Sequence, residues 1–487
     1  MSDRRSRVGV LAAITVALMV CALAGFASVS TAGKSKKPKK SAAALPGLTI
    51  GVDDTDFHHA DTAALALTRS HEIGATHIRV VVDWNEIAPD SAIKPAGFDA
   101  RSPGDPRYRW IDIDGQIRRA VSSGFTPYLT LLNAPRWAQN GKPPESADVG
   151  GGAWRPSAAE FGNFAHAAAV RYSGTYADAT SGGVLPNVSI WQAWNEPNLP
   201  LFLAPASSEL YRSLLNSMHD EIKAVQPNST IVTAGLAPVK SSSSAAFPKD
   251  FAQQLLCLTP SNGWFDRDPG CSAPAKFDVL ALHPYSLRAK PTQRAAVSGN
   301  MFVADTVDLA QMLSAASTSK SVSAGGKKLW VTEFAWFTNP PSRTVGDPPE
   351  VAARRTSIAL YTLWQAGVSH VTWFALSDSA GAIVKGGGLF DASGRAKPTY
   401  DALRFPFFVR QQGRSLLVWG KAPGDSDGAV SIKVLRNGSY KRIANLEPSL
   451  DGVFKKHLTL KSRSAAEYVA QRNGERSLPL NSREYFK

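Results

Sequence analysis

Between about Leu45 and Leu403 a short apolar run gives way to a longer amphipathic stretch eight times over, and few folds accept such a recurrence. The runs that read as strands are Leu48–Val52, His77–Val82, Thr126–Leu131, Val188–Ala193, Ile231–Gly235, Phe277–Leu282, Lys328–Thr332 and Val371–Phe374. Several are nearly continuous in Val, Ile and Leu, which suits parallel strands buried on both faces. Between them lie helical patterns such as Ser157–Tyr172 and Ser208–Val225. Eight strands, each followed by a helix, predict an α/β fold, the (β/α)8 TIM barrel. An open doubly wound sheet is the alternative, but no G-x-G-x-x-G follows the first strand and no Walker-type loop occurs.

Past Leu403 the pattern changes. Val430, Ile432 and Val434 alternate with Ser431 and Lys433, and Asn437-Gly438 and Asn473-Gly474 are hairpin-type turns. Residues 411–487 therefore read as a small C-terminal antiparallel β-sandwich behind a barrel spanning 45–403. At the other end, Arg4, Arg5 and Arg7 precede an apolar stretch from Val8 to about Val29, with Ser30-Thr31-Ala32 after it. Residues 1–32 read as a signal peptide or an uncleaved membrane anchor, which predicts a secreted or cell-surface protein. Residues 33–44, with Lys34–Lys40 at their centre, read as a basic linker or a tether to an anionic surface.

The chain carries 487 residues and a net charge of +14, which suggests nucleic acid until the charge is located. Residues 1–40 hold eight Lys/Arg against one acid, and residues 404–487 hold sixteen against seven. The central region is thus slightly acidic, and binding of nucleic acid by the protein as a whole is excluded. Cys21 lies in the leader, whereas Cys257 and Cys271 flank a Gly/Pro/Asp-rich segment. In an exported protein the natural reading of that pair is a disulfide stapling the loop, and neither spacing nor neighbours suggest a metal site. No cofactor is expected.

Catalytic side chains of such barrels come from the C-terminal ends of the strands and the loops after them. Strand two carries Arg79. Strand four runs into Trp194-Asn195-Glu196-Pro197, strand six into His283-Pro284-Tyr285, and strand seven ends in Glu333. Strand eight carries Trp373. Two carboxylates at the ends of strands four and seven face each other across the barrel mouth. Each residue also has a structural reading: Arg79 as an ion-pair partner, His283 as a hydrogen-bonded strand-end histidine, the tryptophans as core. Asp112-Ile113-Asp114-Gly115 faintly resembles a calcium loop but has Ser123 where a closing glutamate is needed, so it reads as a helix start.

On these residues, and on Gly388-Leu389-Phe390-Asp391 near the barrel's end, the chain resembles the retaining glycoside hydrolases of clan A over about residues 47–403. Family 39 is the nearest in pattern, then family 5, the cellulase type. Some clan members carry a histidine after strand three, where this chain has Asn133. The resemblance implies an exported glycosidase acting on β-linked poly- or oligosaccharide, with Glu196 as acid/base, Glu333 as nucleophile and Asn195 on the sugar 2-hydroxyl. Arg79 and Tyr285 are candidate stabilisers of the Glu333 anion, and His283 joins them as a substrate-side residue. Trp84, Trp137, Trp194, Trp336 and Trp373 offer stacking faces, with Trp194 and Trp373 the preferred pair. The alternative is a non-catalytic carbohydrate-binding or wall-associated module. The basic C-terminal region either holds an anionic cell-wall or membrane surface or simply braces the barrel's last helix.

Overall fold

The structure, a computed structural model of the chain, describes residues 47–144, 148–178, 182–378, 385–424 and 428–483. The expected leader (1–32) and basic linker (33–44) lie outside these residues. Among the described residues no helix is long and apolar enough to cross a membrane.

Eight parallel strands close into a barrel in sequence order: β1 (Thr49–Asp53), β2 (His77–Asp83), β3 (Thr126–Leu132), β4 (Ile190–Ala193), β5 (Thr230–Val232), β6 (Val279–Leu282), β7 (Lys328–Phe334) and β8 (Val368–Phe374), which pairs back to β1. The helices packed outside are α1 (Ala60–Glu72), α2 (Ile111–Ser122), α3 (Ala158–Arg171), α4 (Ser208–Val225), α5 (Pro248–Leu255), α6 (Thr306–Thr318), α7 (Pro349–Gln365) and α8 (Pro398–Arg404). Their starts are encoded locally. Ser157 and Ser207 cap α3 and α4, and proline opens α5, α7 and α8, where its missing N–H costs nothing. Along α4, Tyr211, Leu214, Leu215, Met218 and Ile222 form the buried stripe. Asp112 and Asp114 lie in the first turn of α2, and Asp114 accepts from Arg171 and Tyr172.

The strand limits shift from the sequence expectation by one or two residues at six strands, and by three residues at two, where the reasons are physical. The run Ile231–Gly235 is strand only to Val232, because Ala281 N then donates to the Thr233 side-chain hydroxyl (2.9 Å) rather than to a backbone carbonyl, and pairing with β6 resumes only at the Leu236–Leu282 bridge. A Cβ at Gly235 would lie 2.0 Å from His283 Nε2. At the other site β8 begins at Val368 rather than Val371, since Ser369 and His370 break the apolar run while His370 turns into the barrel.

The main core lies between strands and helices; the barrel interior is a separate packing problem. A small apolar cluster of Val232, Val279, Ala281 and Trp330 fills part of it. The rest is polar and satisfied internally. Tyr128 Oη lies 2.7 Å from Thr372 Oγ1, Thr130 donates to Gln192 Oε1 (2.8 Å), and Gln192 Nε2 donates to Thr332 Oγ1 (2.9 Å). Gly51 is needed here because a Cβ would come within 2.9 Å of His370 and Thr372. This polar layer is the floor of the site.

The C-terminal region forms two antiparallel sheets. One has the order β9-β10-β13 (Phe407–Gln412, Ser415–Lys421 and Val453–Thr459). The other is built on β11, β12 and β14 (Val430–Arg436, Ser439–Leu446 and Glu467–Arg472). Asn437 and Gly438 have φ of 49° and 73°, the left-handed pair that a two-residue hairpin needs. The first sheet packs mainly on α7, the barrel's seventh helix, not its last. Phe408 stacks on Tyr361 (centroids 4.0 Å) and Trp419 meets Trp364 (5.6 Å). The last helix, α8, is reached by the Arg404–Glu475 ion pair (2.6 Å). Cys257 and Cys271 are disulfide-bonded, Cα atoms 5.6 Å apart, and close the base of a hairpin (Leu258–Arg267) between α5 and β6.

Candidate active site

Side chains at β2 point alternately outward and inward, and the inward Arg79 is the hub of the mouth. Its guanidinium makes five hydrogen bonds. Nε donates to Thr130 Oγ1 (3.0 Å) and Gln192 Oε1 (3.2 Å), Nη1 to Asp53 Oδ2 (2.8 Å) and Glu333 Oε2 (3.0 Å), and Nη2 to Asn195 Oδ1 (2.9 Å). A planar fork of fixed donors suits this task in a way a lysine would not. Because a guanidinium only donates, the atom of Asn195 facing Arg79 is the oxygen, and the amide nitrogen is left to donate elsewhere.

Glu196 lies three residues past β4, in a turn where Trp194 and Glu196 take left-handed φ values of 71° and 37°. Such backbone costs on the order of 1–3 kcal/mol per residue in non-glycines, and the enclosing structure holds it. The turn swings the Glu196 carboxylate inward, where Oε1 lies 2.9 Å from His283 Nδ1. On its other side His283 Nε2 lies 3.1 Å from Thr332 Oγ1. Since Gln192 Nε2 already donates to Thr332, the threonine hydroxyl is free to donate to Nε2. With a proton on Nδ1 the ring donates to Glu196. Glu333 is held by both oxygens: Tyr285 Oη donates to Oε1 (2.8 Å) and Arg79 to Oε2. The liganding atoms of Glu196, His283 and Glu333 all lie within 4.8 Å of one another.

The two carboxyls are driven apart in acidity. Burial pushes Glu196 up, and the nearby charge of Glu333 adds to that, while His283 and Arg79 only partly oppose it. Burial also acts upward on Glu333, but His283, Arg79 and Tyr285 outweigh it and hold the group below its usual value. One carboxyl is poised to keep its proton and the other to stay ionised. Among the described residues this trio is the one cluster with a metal-like spacing. Arg79 already supplies a fixed positive charge 3.0 Å from Glu333, and both Glu333 oxygens are engaged by hydrogen-bond donors. The donor set therefore fits a carboxylate pair better than a metal centre.

Of the residues singled out in the sequence, the structure brings Arg79, Asn195, Glu196, His283, Tyr285 and Glu333 into one hydrogen-bonded network. The tryptophans differ. Trp194 is fully buried, edge-on to Phe161 (5.3 Å), and its Nε1 donates to Phe202 O (2.7 Å). This corrects its reading as a stacking face: it is core. Trp373 is also fully buried, with Nε1 on Gly387 O (3.0 Å) and its ring edge-on to Phe334. Trp84 stacks on Phe164, and Trp336 donates to Asp347. A polar edge on an apolar body suits a sugar and a core equally well, and here the polar edges of Trp137, Trp194, Trp336 and Trp373 are used by the protein.

Sequence reasoning missed Asp53, which shares Arg79 Nη1 with Glu333 and whose burial raises its carboxyl to about 6 despite that partner. The strand-end rule, applied to β1, would have found it. Nothing in the sequence marks Gln192, a mid-strand residue that joins Arg79 to Thr332.

No protein-family model matches the chain, and no curated protein is similar to it in sequence. Among solved structures the chain is similar to a family 39 glycoside hydrolase from Bacteroides cellulosilyticus WH2, at 16% identity over 85% of this chain and 79% of that one, with a TM-score of 0.48. It is similar also to a GH39 β-xylosidase from Caulobacter crescentus, at 16% identity over 86% and 96% of the two chains, with a TM-score of 0.47. A GH30 endoxylanase from Clostridium papyrosolvens C71 follows at 14% identity, 86% and 95% coverage and a TM-score of 0.46.

Proposed function

We propose that this protein is a retaining glycosidase that cleaves β-glycosidic bonds of a poly- or oligosaccharide, with Glu196 as acid/base and Glu333 as nucleophile. One observation carries the reading: two barrel-mouth carboxyls within 4.8 Å of each other, with acidities shifted in opposite directions. Retaining sites place their carboxyls about 5–5.5 Å apart, whereas inverting sites need roughly 6.5–9.5 Å to admit a water between them.

In the first step a Glu333 oxygen attacks the anomeric carbon as the glycosidic C–O bond breaks, and the Glu196 proton passes to the leaving oxygen. In the second, Glu196, now ionised, takes a proton from water, the resulting hydroxide attacks the same carbon, and Glu333 departs as carboxylate. The free amide of Asn195 donates to the sugar 2-hydroxyl, an interaction that strengthens as positive charge develops on the ring. His283 keeps Glu196 oriented between the two steps. The N-terminal segment supports export, and the basic linker and C-terminal sheets support contact with an anionic cell-wall or membrane surface.

The test is NMR of the first anomer released from an aryl β-glycoside. Retention is expected; release of the inverted anomer overturns the mechanism. Binding without turnover across a panel of β-linked substrates would instead indicate a carbohydrate-binding module.

A further inference from the structure

Asp83 closes β2 four residues beyond Arg79, on the same inward row of that strand. It sits where an N-cap would be, before the short helical turn Trp84–Ile87, yet its side chain caps nothing. It turns instead toward the end of β3, where Asn133 Nδ2 donates to Asp83 Oδ1. Asn133 is itself fixed. It has a left-handed φ of 60°, and its carbonyl accepts from Asn85 N (2.9 Å). Gly152 packs so closely that a Cβ there would lie 2.7 Å from the Asn133 carbonyl carbon. No described residue donates to Asp83 Oδ2, and the side chain remains partly exposed. Burial nevertheless pushes this carboxyl up to about 6. The protein thus maintains a partly desolvated carboxylate with an open acceptor in the mouth, and the reaction described above does not use it.

Register gives its height. Asp83 is level with Leu132 of β3, and Leu131 with Ala193 of β4, so Asp83 and Asn133 stand at the height of Trp194 and Asn195. Asp83 lies two strands round the rim from the acid/base and Asn133 one, about 10 Å and about 5 Å at the usual strand spacing. A sugar ring bound at the glutamates would turn its far hydroxyls toward them.

We propose that Asp83, oriented by Asn133, reads the sugar: its carboxylate accepts hydrogen bonds from two adjacent hydroxyls of the ring held between Glu196 and Glu333, selecting neutral sugars with a free vicinal diol over uronic acids. The proposal rests on the glycosidase reading. Two O–H donors satisfy the open acceptor positions of an oriented carboxylate, whereas a uronate carboxylate would meet a like charge.

The experiment compares kcat/KM of the unmodified protein, Asp83→Ala, Asp83→Asn and Asn133→Ala. The substrates are the 4-nitrophenyl β-xyloside, glucoside, galactoside, mannoside and glucuronide, and monodeoxy analogues of the fastest neutral one. Circular dichroism and melting curves check folding, and the isosteric Asp83→Asn, which retains an acceptor for Asn133, keeps the test valid should the alanine variant fail to fold. Asp83→Ala is expected to lose on the order of 10–100-fold on the full sugar, the weight of charged hydrogen bonds, but little more on the analogue already lacking the hydroxyl read. The glucuronide should improve relative to neutral substrates in Asp83→Asn. Losses from Asp83 substitution and from deoxygenation that simply multiply at every position would overturn the subsite while leaving the glycosidase standing. Absence of turnover of all five glycosides by the unmodified protein would overturn this proposal together with the reading beneath it.

Discussion

Replacing Glu333 by glutamine removes a negative charge from within 4.8 Å of Glu196 while keeping the shape of the side chain. Glu196 carries its proton in part because of that charge. At an effective dielectric of about 20, two unit charges at that separation interact by roughly 3 kcal/mol. Arg79 acts in the same direction: once Glu333 is neutral, its positive charge bears on Glu196 without the anion that offset it. The Glu196 carboxyl should therefore titrate lower in Glu333→Gln than in the unmodified protein. The measurement is a carbon-13 titration of protein labelled at the glutamate carboxyl carbon, with the Glu196 resonance assigned by its loss in the Glu333→Gln/Glu196→Gln double variant. An unchanged or raised titration would refute the reasoning, because it would mean that Glu333 is not an ionised neighbour of Glu196.

Glu196→Ala should still form the covalent intermediate with good leaving groups and then hydrolyse it slowly; added azide should restore turnover with a product of retained configuration, detectable by NMR. Phe408→Ala removes the ring stacked on Tyr361 and should cost on the order of 3–5 kcal/mol in denaturant unfolding, so a chain truncated after α8 exposes this face and pays for it in solubility. Thiol titration of the unreduced, denatured protein should find neither Cys257 nor Cys271 free, and loss of that bridge should cost about 3 kcal/mol for its short loop. His77 is half-buried beside His370, and desolvation lowers it to about 4. The unfolded chain takes up that proton near 6.5 while the folded one waits until about 4, so this contribution to stability is present above 6.5 and lost as pH falls to 4. In His77→Gln the acid loss of stability over that window should shrink by up to about 3 kcal/mol.

Much of the architecture was legible because it follows from local pattern. Burial of parallel strands on both faces produces the apolar runs, and caps such as Ser157 and Ser207 mark where the helices between them begin. The same logic exposed the reactive side chains. A charged or amide residue directly after an apolar run sits at the one end of a barrel where function concentrates, and Asn195, Glu196, His283 and Glu333 all do so. Asp53 obeyed that rule unnoticed. Residues whose role is set by distant partners were not legible. Gln192 looks like a mere polar interruption of β4, and only closure of the barrel puts it between Arg79 and Thr332.

What the order of residues determined by itself was the periodicity of the elements, their ends and the chemical types available at those ends, since each depends on neighbours a few positions apart. The tertiary structure alone decided the rest. It brought Glu196 and Glu333, 137 positions apart in the chain, to within 4.8 Å. It divided Arg79 between Asp53, Glu333 and Asn195, buried Trp194 against Phe161, and turned Asp83 from its own helical turn toward Asn133. A carboxyl's acidity depends on the charges and the water around it, and those are set by which strands lie side by side, so the opposite shifts of two glutamates exist only once the barrel is closed.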